Sequence, residues 1–192
     1  MKTTLLIIAL AVSLATATKS RAQILDQTGP YGPVGWSSSA TLCKIRPNSA
    51  ANSFNYGNGT VAFTATSYGT IGLACNMPGT MNGVAYSDIN ALAFTFSDNS
   101  GQTGGCTVSV YLVDLTKANS SVAAIRLHDA DGWSSGQSFS GIWTAQIGLT
   151  SNTWPLNPNH IYQVVINLYR PQSAVGVCNP TAYGAYLEDL IS

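Results

Sequence analysis

Charge is scarce in this chain. Lys, Arg, Asp and Glu together make up 8% of its 192 residues, against roughly a quarter in an average soluble protein. Glutamate occurs only at Glu188 and histidine only at His128 and His160, so general acid–base chemistry has sparse material to work with. Long Leu/Ala/Glu/Lys runs are missing, which excludes a helical bundle or coiled coil. After residue 22, five bases stand against eight acids, and a nucleic-acid partner held by a basic footprint is excluded with them. No two cysteines have the short C-x₂₋₄-C spacing of a zinc site. No apolar run long enough to span a bilayer follows the N-terminal segment.

Uncharged polarity takes the place of charge: 21 Ser, 19 Thr, 14 Asn and 18 Gly. The opening runs Met1-Lys2-Thr3-Thr4, an apolar stretch from Leu5 to Ala15, and small residues up to Ala22. Its apolar part is too short to cross a bilayer and reads as a signal peptide over residues 1–22, cleaved after Ala22 or Ala17. The chain is therefore expected to be secreted or periplasmic, with no membrane span after processing. The remainder fits a single domain. In an exported chain, the even set Cys43, Cys75, Cys106 and Cys178 predicts two disulfides. Three pairings are open, and Cys43 with Cys75 plus Cys106 with Cys178 is the preferred one.

From residue 60 onward apolar and polar positions alternate with a period of two, the signature of strands half-buried against a core. Leu92, Phe94 and Phe96 share a phase, as do Val108, Val110 and Leu112 opposite Thr107, Ser109 and Tyr111. Trp143, Ala145 and Ile147 form another such set, and Tyr162, Val164, Ile166 and Leu168 stand opposite Gln163 and Asn167. Polar turn clusters such as Asp129-Ala130-Asp131-Gly132 and Asn157-Pro158-Asn159 separate the runs. The fold class is all-β: a two-sheet antiparallel β-sandwich, jelly-roll-like, with about eight to ten strands over residues 41–192. Residues 23–40 contain Gly29-Pro30, Gly32-Pro33 and Gly35 with little periodicity. They read as an extended N-terminal arm with polyproline character.

Few motifs carry chemistry. Gly132-Trp133-Ser134-Ser135-Gly136 matches G-x-S-x-G, but no parallel sheet follows it. The order Ser134, His160, Glu188 also reverses the acid-then-histidine order of the α/β-hydrolase elbow. Asp129 and Asp131 flank a glycine bend that resembles the start of a calcium loop, hard Ca²⁺ being a cation that takes oxygen ligands. The competing reading is an Asx-type turn. Trp36, Trp133 and Trp154 lie among Ser, Gly, Pro and Asn, where an aromatic face can stack on a sugar ring while polar neighbours bind its hydroxyls.

These observations rank four functions. First is a secreted, non-catalytic sandwich that binds a glycan or cell-surface ligand through Trp36, Trp133 and Trp154, with no cofactor beyond a calcium ion at Asp129 and Asp131. Second is a subunit of a fibre, pilus or coat, a homo-oligomer or filament joined through the arm. Low charge favours it, because a nearly neutral surface lacks repulsion between copies. Third is an extracellular hydrolase. An outer-membrane barrel ranks last, because cysteines and doubly apolar strands oppose it.

Overall fold

The computed structural model describes residues 23–26, 33–51, 53–77, 81–98, 105–117, 120–127, 139–149 and 155–189. Two antiparallel sheets face one another. The first contains β1 (Gln23–Asp26), β2 (Val34–Ser39), β4 (Phe54–Gly57), β5 (Thr60–Phe63), β7 (Ala91–Asp98), β10 (Phe139–Gly148) and β12 (Thr181–Glu188). The second contains β3 (Lys44–Ile45), β6 (Gly69–Asn76), β8 (Thr107–Asp114), β9 (Ser120–Leu127) and β11 (Tyr162–Arg170). The eight strands β5 to β12 lie in the orders β5-β12-β7-β10 and β6-β11-β8-β9. That is a jelly roll, in which the chain alternates between sheets so that late strands lie beside early ones.

The period of two accounts for the layers. Along β8, Val108, Val110, Leu112 and Asp114 are buried, while Thr107, Ser109, Tyr111 and Val113 are half-buried on the other face. Strand β11 presents Tyr162, Val164, Ile166 and Leu168 to the same core, and β6 adds Ile71, Leu73 and Cys75. From the first sheet come Leu92, Phe94 and Phe96, with Ala145, Ala182, Ala185 and Leu187. Burying each large apolar side chain stabilises the fold by about 1.5–3 kcal/mol. Both disulfides have the preferred pairing, Cys43–Cys75 and Cys106–Cys178.

The described parts of the arm expected over residues 23–40 are paired into the first sheet. Gln23–Asp26 pairs antiparallel with β10, Val34–Ser39 pairs with β12, and Ala40–Leu42 makes a 3-10 turn. The domain therefore begins before residue 41, and it has twelve strands among the described residues rather than eight to ten. Gly35, one of the glycines that suggested a loop, serves close packing instead: a Cβ there would stand 2.3 Å from Ile89 Cδ1. Gly184 plays the matching part in β12. A Cβ there would meet the Ser38 carbonyl oxygen at 2.6 Å. A register shift at this point lets Thr181 and Ala182 pair with β5 while Gly184 to Glu188 pair with β2. Asn58 and Gly59, with φ of 53° and 78°, form the two-residue turn between β4 and β5. Both central residues have positive φ, as a type I′ hairpin turn requires.

Buried Arg170 closes one end of the sandwich. Its guanidinium stands 4.7 Å from the Phe63 ring centroid. It donates to the carbonyl oxygens of Ser67, Thr64 and Cys178 and to Asn179 Oδ1. Burial lowers its pKa from the ordinary arginine value. Backbone oxygens supply the compensation that a buried cation needs.

Candidate ligand-binding face

The side of the second sheet turned away from the core carries the densest set of accessible polar and aromatic side chains among the described residues. Its composition follows from strand phase. Once Val108, Val110 and Leu112 point inward, Thr107, Ser109, Tyr111 and Val113 must point outward. The same logic turns Gln163, Val165, Asn167 and Tyr169 of β11 outward, with Thr70, Gly72, Ala74 and Asn76 of β6.

Register then assembles these residues into rows across the strands. Asn76, Gln163 and Val113 form one row, Ala74, Val165 and Tyr111 the next, Gly72, Asn167 and Ser109 a third, and Thr70, Tyr169 and Thr107 a fourth. Tyr169 is 41% exposed, and Tyr111 is half-buried. Four residues along β11 and one strand across separate these tyrosines, roughly 14 Å between their Cα atoms by strand geometry. Between and beyond them lie amides. Gln163 Nε2 donates to Asn76 Oδ1 at 2.7 Å. At Gly72 the missing side chain makes room for a neighbour: a Cβ there would lie 3.4 Å from both Cβ and Cδ of Arg46 and 3.5 Å from Asn167 Oδ1. The Arg46 stem therefore lies over the sheet beside the Asn167 amide. The face offers aromatic surface for stacking and amide and hydroxyl groups for hydrogen bonding.

No protein-family model matches the chain, and no curated protein matches it either. Several solved structures align with most of its length. CBM29_1, a family 29 carbohydrate binding module from Piromyces equi, shares 12% identity, with 80% of this chain and 90% of that one covered and a TM-score of 0.36. A CBM29-2 mutant complexed with mannohexaose shares 12% identity over 88% and 92% of the two chains at a TM-score of 0.32. A structure titled for CBM4 structure and function shares 9% identity over 81% and 83% at a TM-score of 0.31. Superposition at this level carries no argument about ligand or activity.

A second polar constellation sits at the end of the sandwich. His160 Nδ1 donates to Asp114 Oδ2 at 2.7 Å, and Asp114 Oδ1 accepts from the backbone N–H groups of Thr116 and Lys117. Burial by itself would raise the Asp114 pKa. The His160 hydrogen bond and charge, with the two backbone bonds, outweigh it and hold the carboxyl below its ordinary value. The neighbouring Tyr162 phenol is pushed up, chiefly by burial. Its oxygen accepts from Asn157 N–H at 2.9 Å. An acid that orients a histidine is half of a nucleophilic triad. Among the described residues, however, no hydroxyl or thiol hydrogen-bonds to the His160 ring. The pair ties the loop before β11 to the end of β8.

The residues singled out in the sequence have separate fates. Trp36 is 4% exposed, packed in the core opposite Leu187. It cannot stack on a ligand in this fold, because the inward phase of β2 claims it. Trp133, Trp154, Asp129, Asp131 and Ser134 lie outside the described residues, as do residues 1–22. His160 pairs with Asp114 rather than Glu188. Glu188 accepts from Gln146 Nε2 at 2.5 Å on the outer side of the first sheet. Loop aromatics drew attention in the sequence, whereas the tyrosines of the face went without a role. Their signal was present: Tyr111, Gln163, Asn167 and Tyr169 occupy the polar phase of the two most regular strands.

Proposed function

We propose that this chain is an exported, non-catalytic β-sandwich that binds an extended glycan along the outer face of the second sheet. The observation that carries this reading is the row structure itself. Two tyrosines two pleat repeats apart stand on one face, with Asn167 in the row between them and the Asn76–Gln163 amide pair in the row beyond Tyr111. A sugar ring has an apolar face and a rim of hydroxyls, and this surface supplies a partner for each. Export is supported by the signal-like N-terminus and by two disulfides, which persist in oxidising compartments. No helix among the described residues is long and apolar enough to cross a membrane. Trp133 and Trp154 join the proposal as further stacking residues on the ground of their sequence surroundings.

The test is affinity electrophoresis and calorimetry with a panel of soluble polysaccharides. At least one polymer should bind, and Tyr169→Ala and Tyr111→Ala should each weaken it roughly five- to ten-fold, as loss of about 1 kcal/mol of stacking implies. Absence of binding across the panel, or variants that bind like the parent protein, would overturn the reading.

A further inference from the structure

Basic residues are unevenly placed. Of the five that follow position 22, Lys44 and Arg46 fall on the proposed binding face, and Arg126 belongs to a strand of the same sheet. Lys44 is exposed and opposite Ala74. The Arg46 N–H donates to the Gly72 carbonyl oxygen at 2.8 Å, and the Arg46 stem covers Gly72. Arg126 occupies the β9 position opposite Ser109. Arg46, Gly72, Asn167 and Ser109 thus form one row, with a base just past the β3 edge. The other two bases lie elsewhere: Arg170 is buried on the core side, and Lys117 is in the turn after β8.

Among the described residues, Asp26, Asp98 and Glu188 belong to the first sheet. Asp114 lies on the inward phase of β8. Asp88 and Asp189 lie in the segments flanking β7 and β12. No carboxylate among the described residues pairs with Lys44 or Arg46. A chain with more acids than bases therefore places Lys44 and Arg46, without a carboxylate partner among the described residues, at the surface already equipped for stacking and amide contacts. Like charges without counter-ions repel one another and lower stability, so this arrangement favours a ligand that brings the negative charge.

Resting on the proposed glycan site, we infer that its ligand is an anionic sugar chain bearing carboxylates, a polyuronate, rather than a neutral polysaccharide. Arg46 is the specific reader. Its planar guanidinium matches a carboxylate in two parallel hydrogen bonds, and its stem is already laid down on Gly72, so little freedom is lost on binding. Lys44 supplies a second charge two residues along the chain. A nucleic acid is disfavoured, because two basic positions on a chain with more acids than bases make a poor phosphate track.

The decisive experiment titrates the full chain with polygalacturonate, its carboxyl-reduced derivative, hydroxyethylcellulose and single-stranded DNA, at low and at moderate salt. Polygalacturonate is expected to bind roughly ten-fold tighter than its reduced derivative and to lose affinity as salt rises. Arg46→Gln and Lys44→Gln should each remove much of that preference, read as the ratio of affinities for the acidic and reduced polymers, since surface changes of this kind leave the fold intact. Equal affinity for the acidic and reduced polymers would overturn the inference while leaving the glycan site standing, as would a preference for hydroxyethylcellulose. DNA binding as tight as polygalacturonate binding would overturn it in favour of unspecific charge attraction. If none of the sugar polymers binds, inference and site fail together.

Discussion

The two sheets turn opposite kinds of polar surface away from the core they share. On the first, Thr95, Thr144, Gln146 and Glu188 point away from the core yet are buried, Glu188 completely, and the small residues Ala91 and Ala93 between them are buried as well. They satisfy one another: Thr95 and Thr144 share a hydrogen bond of 3.2 Å, and Gln146 donates to Glu188. On the second, Lys44, Asn76 and Tyr169 are exposed, and Gln163 and Asn167 are half-buried. Both faces come from the same alternation of side chains. The difference shows that polarity on the outer phase of a strand has two uses. Buried, such groups must be paired, because an unpaired one costs about 1–3 kcal/mol. Wet, they remain available to a ligand.

Four experiments would break or sharpen this contrast. The largest effect should come from the link between the second sheet and the segment leading into β12. Replacing Cys106 and Cys178 together by Ser is expected to cost about 4 kcal/mol, slightly more than removing Cys43 and Cys75, because the bridged separation is 72 residues rather than 32. Chemical denaturation of both double variants measures it. Next is Gln146→Ala, which takes a donor from a fully buried carboxylate. It should cost about 1–3 kcal/mol in unfolding free energy while leaving polysaccharide affinity unchanged. A shift in affinity would show that the first sheet also meets ligand. Tyr169→Ala should do the reverse, weakening binding roughly five- to ten-fold while unfolding stability moves by about 0.5 kcal/mol or less. The smallest effect is the response to pH. Because the folded Asp114 pKa is depressed, its contribution is fully present above the unfolded-state value of about 3.9 and is lost as pH falls through the lower folded value. Asp114→Asn should therefore flatten the acid limb of stability against pH, read as thermal midpoints between about pH 2 and 6.

Much of the fold was legible in the residues. The long alternating runs became β6, β7, β8, β10 and β11. Strand β2 was hidden for a physical reason. It is short, begins next to Gly32-Pro33 and contains Gly35, whose lack of a side chain suits a loop and equally suits a backbone pressed against Ile89. Trp36 was misplaced with it. The Asp114–His160 bond was also out of reach, because it joins residues 46 apart that meet only when β8 and β11 pair.

Alternation of apolar and polar side chains determined by itself that the chain forms strands, which residues of each strand share a side, and that a sulfur-bridged sandwich results. It could do so because strand pleating is local, set by the backbone of each residue and its neighbours. Which polar side meets water, which tryptophan turns inward and which bases share one face were decided only by the tertiary structure. Those outcomes depend on register between strands distant in sequence and on what packs over each sheet.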